Sequence, residues 1–117
     1  ENQLDFLAIG DIVTDAFIRI KDAEATCDLD KRNCKLCVRF GDKVPYESMT
    51  EVRAVGNSAN AAVAAARLGV KSALIAHVGK DLNGDNCIAE LKKNGVDTHY
   101  VYSHEGIPTN YHYVLWY

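Results

Sequence analysis

The stretch Val55-Gly56-Asn57-Ser58-Ala59-Asn60, followed by Ala-rich sequence to Gly69 and then by Gly79, decides how this chain is read. A glycine and small amides stand where a strand hands over to a helix. A helix start leaves several backbone N–H groups without intrahelical partners, and small residues let a polar ligand approach them. Ser58 is the expected cap of a helix running to Leu68, with Gly69 ending it in the left-handed conformation. Its Ala content favours helix and close packing on a sheet.

Working outward, Leu4–Ile9 is a short apolar run closed by Gly10-Asp11, which predicts a buried parallel strand. Ile12–Ile20 alternates, with Val13, Asp15 and Phe17 on one side, and predicts a second strand. Residues 21–50 are polar, with strand pieces expected at Val38–Gly41 and Glu51–Val55. So long a polar excursion within an α/β chain suggests a functional segment. Downstream, Ser72–Val78 predicts a buried strand ended by Gly79. A second helix is expected over about Gly84–Asn94, capped by Asp81, with Cys87, Ile88 and Leu91 on one face and Gly95 beyond. Thr98–Ser103 and Thr109–Tyr117 are the last expected strands. Two helix–Gly–Val–strand units, at Leu68-Gly69-Val70 and Asn94-Gly95-Val96, predict a mostly parallel α/β sheet flanked by helices.

Composition narrows the function classes. The chain has 117 residues, 48% apolar, enough for a real core. A net charge of −3 gives no reason to expect nucleic acid or an acidic membrane surface. No apolar run approaches the ~20 residues of a membrane span, and the first residues lack the pattern of a secretory signal. These features point to a cytoplasmic setting. The absent initiator Met and the apolar end, Tyr113–Tyr117, predict a piece of a longer protein.

The motifs together resemble the PfkB (ribokinase-like) carbohydrate kinase family over nearly the whole chain. Gly10-Asp11-Ile12-Val13-Thr14-Asp15 is similar to the family's first strand end, which implies that Asp15 binds sugar hydroxyls. Gly56 and Asn60 fall on the family's glycine and asparagine at the substrate-binding helix start, with Asn57 between them. Val55 stands at the first of the family's two signature glycines, and Asn57 where ribokinases often carry Lys. Gly79-Lys80-Asp81-Leu82-Asn83-Gly84 is similar to the family's Gly-x-Asp-x-x-Gly turn. The resemblance implies a ribokinase-like fold with a small β-sheet lid, in segments about 16–55 and 109–117, that can pair with a second subunit. It implies an ATP- and Mg²⁺-dependent kinase acting on a sugar or nucleoside. The family's catalytic base and ATP site lie beyond Tyr117, so this chain alone is expected to be inactive.

Each residue also has a plainer reading. By itself, Asp15 is a solvated strand carboxylate, Asn60 a competitor for cap hydrogen bonds, and Gly79 and Gly84 are turn residues. Tyr111, Tyr113, Leu115 and Tyr117 share one strand face, opposite His112, Val114 and Trp116, which predicts a strand covered on both sides. His77, His99, His104 and His112 show no metal or triad spacing, and His99 and His104 are expected to be exposed. The CxxC pair Cys34 and Cys37 is half of a zinc knuckle, to which Cys27 or a distant His could add ligands. Without a second CxxC they read as reduced thiols. The alternative to a kinase is a non-catalytic module, dimerising through its strands or stabilised by zinc.

Overall fold

The computed structural model describes residues 3–117. The described residues divide into two compact units, 3–15 with Val52–His112, and Ala16–Glu51 with Tyr113–Tyr117.

The first unit is an α/β layer. Strand β1 (Phe6–Ile9) pairs in parallel with β6 (Ser72–Gly79), which pairs in parallel with β7 (Val101–His104). Helix α1 (Asn57–Arg67) lies on β1 and β6, and α2 (Leu82–Lys93) lies on β6. Ala59 and Ala62 of α1 are fully buried, and methyl-sized side chains let the helix pack closely on the sheet. Ala8, Leu74, Ala76, Val78, Cys87 and Leu91 belong to the same apolar core.

Helix α2 follows its sequence signals closely. The Asp81 side chain caps it by accepting from the Gly84 N–H, Asp85 lies in its first turn, and Lys92 and Lys93 lie in its last. Gly84 differs from the expected turn residue. It lies inside the helix, buried, where an added Cβ would collide with the Gly79 carbonyl. Glycine is needed there for close approach.

Helix α1 departs from expectation at its start. Gly56 is the N-cap, at φ 112°, and no side chain caps the helix. Ser58 instead donates its hydroxyl to the Asp11 carbonyl at 2.7 Å. Gly69 and Gly95 both take positive φ beyond the helix ends. Strand β1 is less buried than its sequence predicts. Ala8 is covered, whereas Leu7 and Ile9 are 44% and 71% exposed, so only one face of this edge strand meets the core.

The second unit is made of strands. Parts of β2 (Val13–Ile20), β5 (Tyr46–Val55) and β8 (Tyr111–Trp116) belong to it, in a three-stranded sheet of order β5-β2-β8. Strands β3 (Glu24–Cys27) and β4 (Cys34–Cys37) form a separate antiparallel pair. The strand piece expected at Val38–Gly41 is not strand; the ladder falls on Cys34–Cys37. Cys27 and Cys34 are joined in a disulfide, so these two are not the reduced thiols expected. The aromatic stripe is also uncovered: Tyr113, Val114, Leu115, Trp116 and Tyr117 are all exposed. Among the described residues no helix is long and apolar enough to cross a membrane.

Candidate functional site

The residues singled out by the motifs lie in the first unit, on or beside three segments. The loop Gly10–Ile12 leads into β2, α1 begins at Asn57, and Thr109 and Asn110 lead into β8, which carries His112. The Asp11 carbonyl ties the first two together by accepting the Ser58 hydroxyl. A Cβ on Gly56 would stand 3.2 Å from that same carbonyl, tighter than ordinary contact. Ala54, two residues earlier, is a non-glycine residue at φ 56° and is buried. Strained backbone of this kind persists where surrounding structure enforces it.

Asp15 is half-buried, and its Oδ1 lies 3.5 Å from Nδ1 of His112. The Thr14 N–H donates to the Asn110 carbonyl at 3.1 Å, which holds the two segments side by side. Thr14, fully buried, also shares a hydrogen bond with Cys87 of α2 at 3.3 Å. Asn57 is the first residue of α1 and its side chain is exposed. Asn60 is exposed too; its N–H donates to the Gly56 carbonyl at 2.8 Å, and it lines a cavity of about 350 Å³ with Arg67, Glu90 and Asn94. Arg67 closes one side of that cavity by donating to Asn94 Oδ1 at 2.7 Å.

A second polar cluster anchors the start of β8. The Thr109 hydroxyl donates to Asp81 Oδ1 at 2.7 Å, and its N–H donates to Asp81 Oδ2 at 2.9 Å. That hydroxyl also accepts from the Gly79 N–H at 2.9 Å, while Gly84 N–H reaches Asp81 Oδ1 at 2.7 Å. The Thr109 hydroxyl first, then the Thr109 and Gly84 N–H groups, hold the Asp81 carboxyl below its ordinary value. Sequence reasoning found the cap and missed Thr109. One signal was available: a lone hydroxyl residue after Ile107-Pro108, just ahead of a strand.

His112 was likewise read as one face of an aromatic strand rather than as a partner of Asp15. His77 and His104, without metal or triad spacing in sequence, meet at 2.7 Å between Nδ1 and Nε2. His104 is half-buried rather than exposed as expected. The three thiols of the alternative zinc reading are not free to act together, because Cys27 and Cys34 bond to each other and Cys37 remains. Among the described residues no group of three His, Cys, Asp or Glu side chains is placed to hold a metal ion.

A family model for the pfkB family carbohydrate kinases matches residues 21–116. The chain belongs to this family. It is 36% identical over 69 residues to the 2-dehydro-3-deoxygluconokinase of Thermoproteus tenax, which is 59% of this chain and 21% of that protein. It is 45% identical over 47 residues to mouse ribokinase, covering 40% of this chain and 15% of the relative. The structure of Arabidopsis thaliana ribokinase complexed with ribose and ATP superposes with a TM-score of 0.76 at 22% identity, over 96% of this chain and 32% of that one. At that identity the likeness establishes the fold, which is ribokinase-like. The chain spans about a third of the length of this solved ribokinase, and less of the curated relatives.

Proposed function

We propose that this chain is the acceptor-holding part of a kinase that moves the γ-phosphoryl group of ATP to a hydroxyl of a sugar or nucleoside. The observation that carries the reading is Asp15, a half-buried carboxylate 3.5 Å from His112, on a segment tied through Asp11 to the first turn of α1. A carboxylate accepts hydrogen bonds from two neighbouring hydroxyls, and an amide both donates and accepts. Asp15 would hold the acceptor's hydroxyl pair, with Asn57 and Asn60 supplying amides and Gly56 leaving backbone open to the ligand. His112, beside Asp15, would keep the carboxylate aimed. Phosphoryl transfer depends chiefly on such positioning and on neutralising charge.

Segments 16–55 and 109–117 are proposed as the lid, which would exclude water and offer strands to a second copy. No step is assigned to a metal held by this chain. ATP, Mg²⁺ and the catalytic base are assigned to the remainder of a protein of the relatives' length, acting in the cytoplasm. The chain alone is therefore expected to transfer no phosphoryl group.

The test uses a protein of that length carrying this chain, screened with sugars and nucleosides for acceptor-dependent ATP consumption. Asp15→Ala should lower kcat/KM by about a hundredfold, the scale of a misplaced reacting group, with an unchanged melting temperature. Unaltered turnover in that variant would remove Asp15 from the site.

A further inference from the structure

The proposed function leaves the chain's densest group of thiols unused. Strands β3 and β4 pair through Glu24↔Cys37, Ala25↔Leu36, Thr26↔Lys35 and Cys27↔Cys34, and they form a sheet of two strands. An isolated two-stranded hairpin is marginal in water. This one is nearly unburied: only Leu36 is even half-buried, and the other strand residues are exposed. Apolar burial therefore does little to hold it.

Two other features hold it. The first is the turn. The Asp28 carboxylate accepts from the Arg32 N–H at 3.0 Å, the Asn33 N–H at 3.4 Å and the Asn33 amide at 2.9 Å. The second is the Cys27–Cys34 bond, at the turn end of the ladder, closing a loop through residues 28–33. Such a cross-link acts mainly by restricting the open chain. Beyond the bond, Cys37 is a free, exposed thiol. Glu24 and Cys37 also line a cavity of about 440 Å³ together with Lys21, Asp22, Arg39 and Tyr117.

We propose that the Cys27–Cys34 bond is a redox-dependent clasp: formed, it holds the 24–37 hairpin in register, and reduced, it lets the hairpin and its wall of the cavity come apart. To open it, one thiolate of a small dithiol attacks a cysteine sulfur and the S–S bond breaks. The reductant's second thiolate then attacks its own sulfur of the mixed disulfide, and the second cysteine leaves as a thiolate. Two electrons pass to the cysteines, which take up two protons, and the reductant leaves as its disulfide. Closing runs in reverse with oxidised glutathione, which leaves as two thiols. In a reducing compartment the clasp rests open and closes on oxidation.

Lys31 and Arg32 lie exposed inside the clasped loop, so trypsin reads its state. The 117-residue chain is equilibrated with oxidised glutathione or with dithiothreitol, then digested briefly and mapped without reduction. Cleavage after Lys31 and Arg32 should rise about tenfold or more on reduction, while cleavage within α2 stays constant. Cys27→Ser should cut at the fast rate under oxidant, and Cys37→Ser at the slow one. Alkylation after unfolding should count two thiols in the oxidised chain, Cys37 and Cys87, and four in the reduced. Equal cleavage rates, an oxidised bond mapped to Cys37, or four thiols after oxidation would each overturn the proposal.

Discussion

The two compact units of this chain stay ordered by different means. In the first, Leu74, Leu91, Cys87, Ala59 and Ala62 are sealed from solvent, and the buried hydroxyls of Thr14, Ser72 and Thr109 bond to Cys87, the Ala62 carbonyl and Asp81. In the second, Leu29 and Phe40 are as exposed as in an open chain, and Ala16 and Ile20 are the apolar residues buried. There the stabilising features are backbone ladders, an Asp28 turn, a disulfide and surface pairs. Apolar burial carries most of the first unit's stability and does not depend on redox state. Cross-links and exposed polar contacts make the second unit's stability small and dependent on redox state, acid and salt.

The largest expected effect contrasts two leucines. Leu91→Ala should lower the unfolding free energy by about 3 kcal/mol, because it leaves a cavity in a fully buried site. Leu29→Ala, at a side chain wholly in solvent, should change it by less than about 0.5 kcal/mol. Urea unfolding of both variants measures the pair. Comparable losses would mean that the second unit has a core of its own.

Acid separates the units next. Asp81 and Asp28 both have carboxyls held below the ordinary value of 3.8, Asp81 chiefly by the Thr109 hydroxyl and Asp28 chiefly by the Arg32 N–H. A depressed carboxyl contributes stability above its ordinary value and loses it as pH falls through the lower folded value. Asp81→Asn should therefore flatten the fall of melting temperature below about pH 4, since the group sits where the first unit closes. Asp28→Asn should leave that curve alone and instead raise trypsin cleavage in the 28–33 loop. A global acid effect from Asp28 would erase the distinction.

How much was legible follows from where each residue's partners lie. Helix α2 was readable because its determinants are local: Asp81 ahead of it, Lys92 and Lys93 in its last turn, Gly95 after it. The start of α1 was misplaced because Ser58's partner, the Asp11 carbonyl, is 47 residues away. The motif singled out Asp15, whereas His112, 3.5 Å from it, comes from the other end of the chain. The β3–β4 ladder was missed for a related reason. Val38 and Phe40 looked like strand, yet pairing falls where the Asp28 turn brings Glu24–Cys27 against Cys34–Cys37. The stripe 111–117 carries the apolar pattern of a covered strand, while the cover is not supplied by these residues.

The smallest expected effect lies on the second unit's surface. Arg19 Nε is 3.1 Å from Glu47, and its guanidinium sits 5.6 Å from the centre of the Trp116 ring. The two charged side chains are 50% and 53% exposed, so water and salt screen most of their attraction. Glu47→Gln should cost less than about 0.5 kcal/mol, falling further in molar salt. Arg19→Ala should cost up to about 1 kcal/mol, because it also removes the stacking on Trp116. Arg19→Lys separates the two contributions: it keeps the charge for Glu47 and loses the flat guanidinium, so a cost close to that of alanine assigns the effect to the ring. A double-mutant cycle over Arg19 and Glu47 measures the coupling. A value of about 2 kcal/mol or more would place an exposed ion pair on the scale of the Leu91 core, and the contrast between the two units would then fail on energetic grounds.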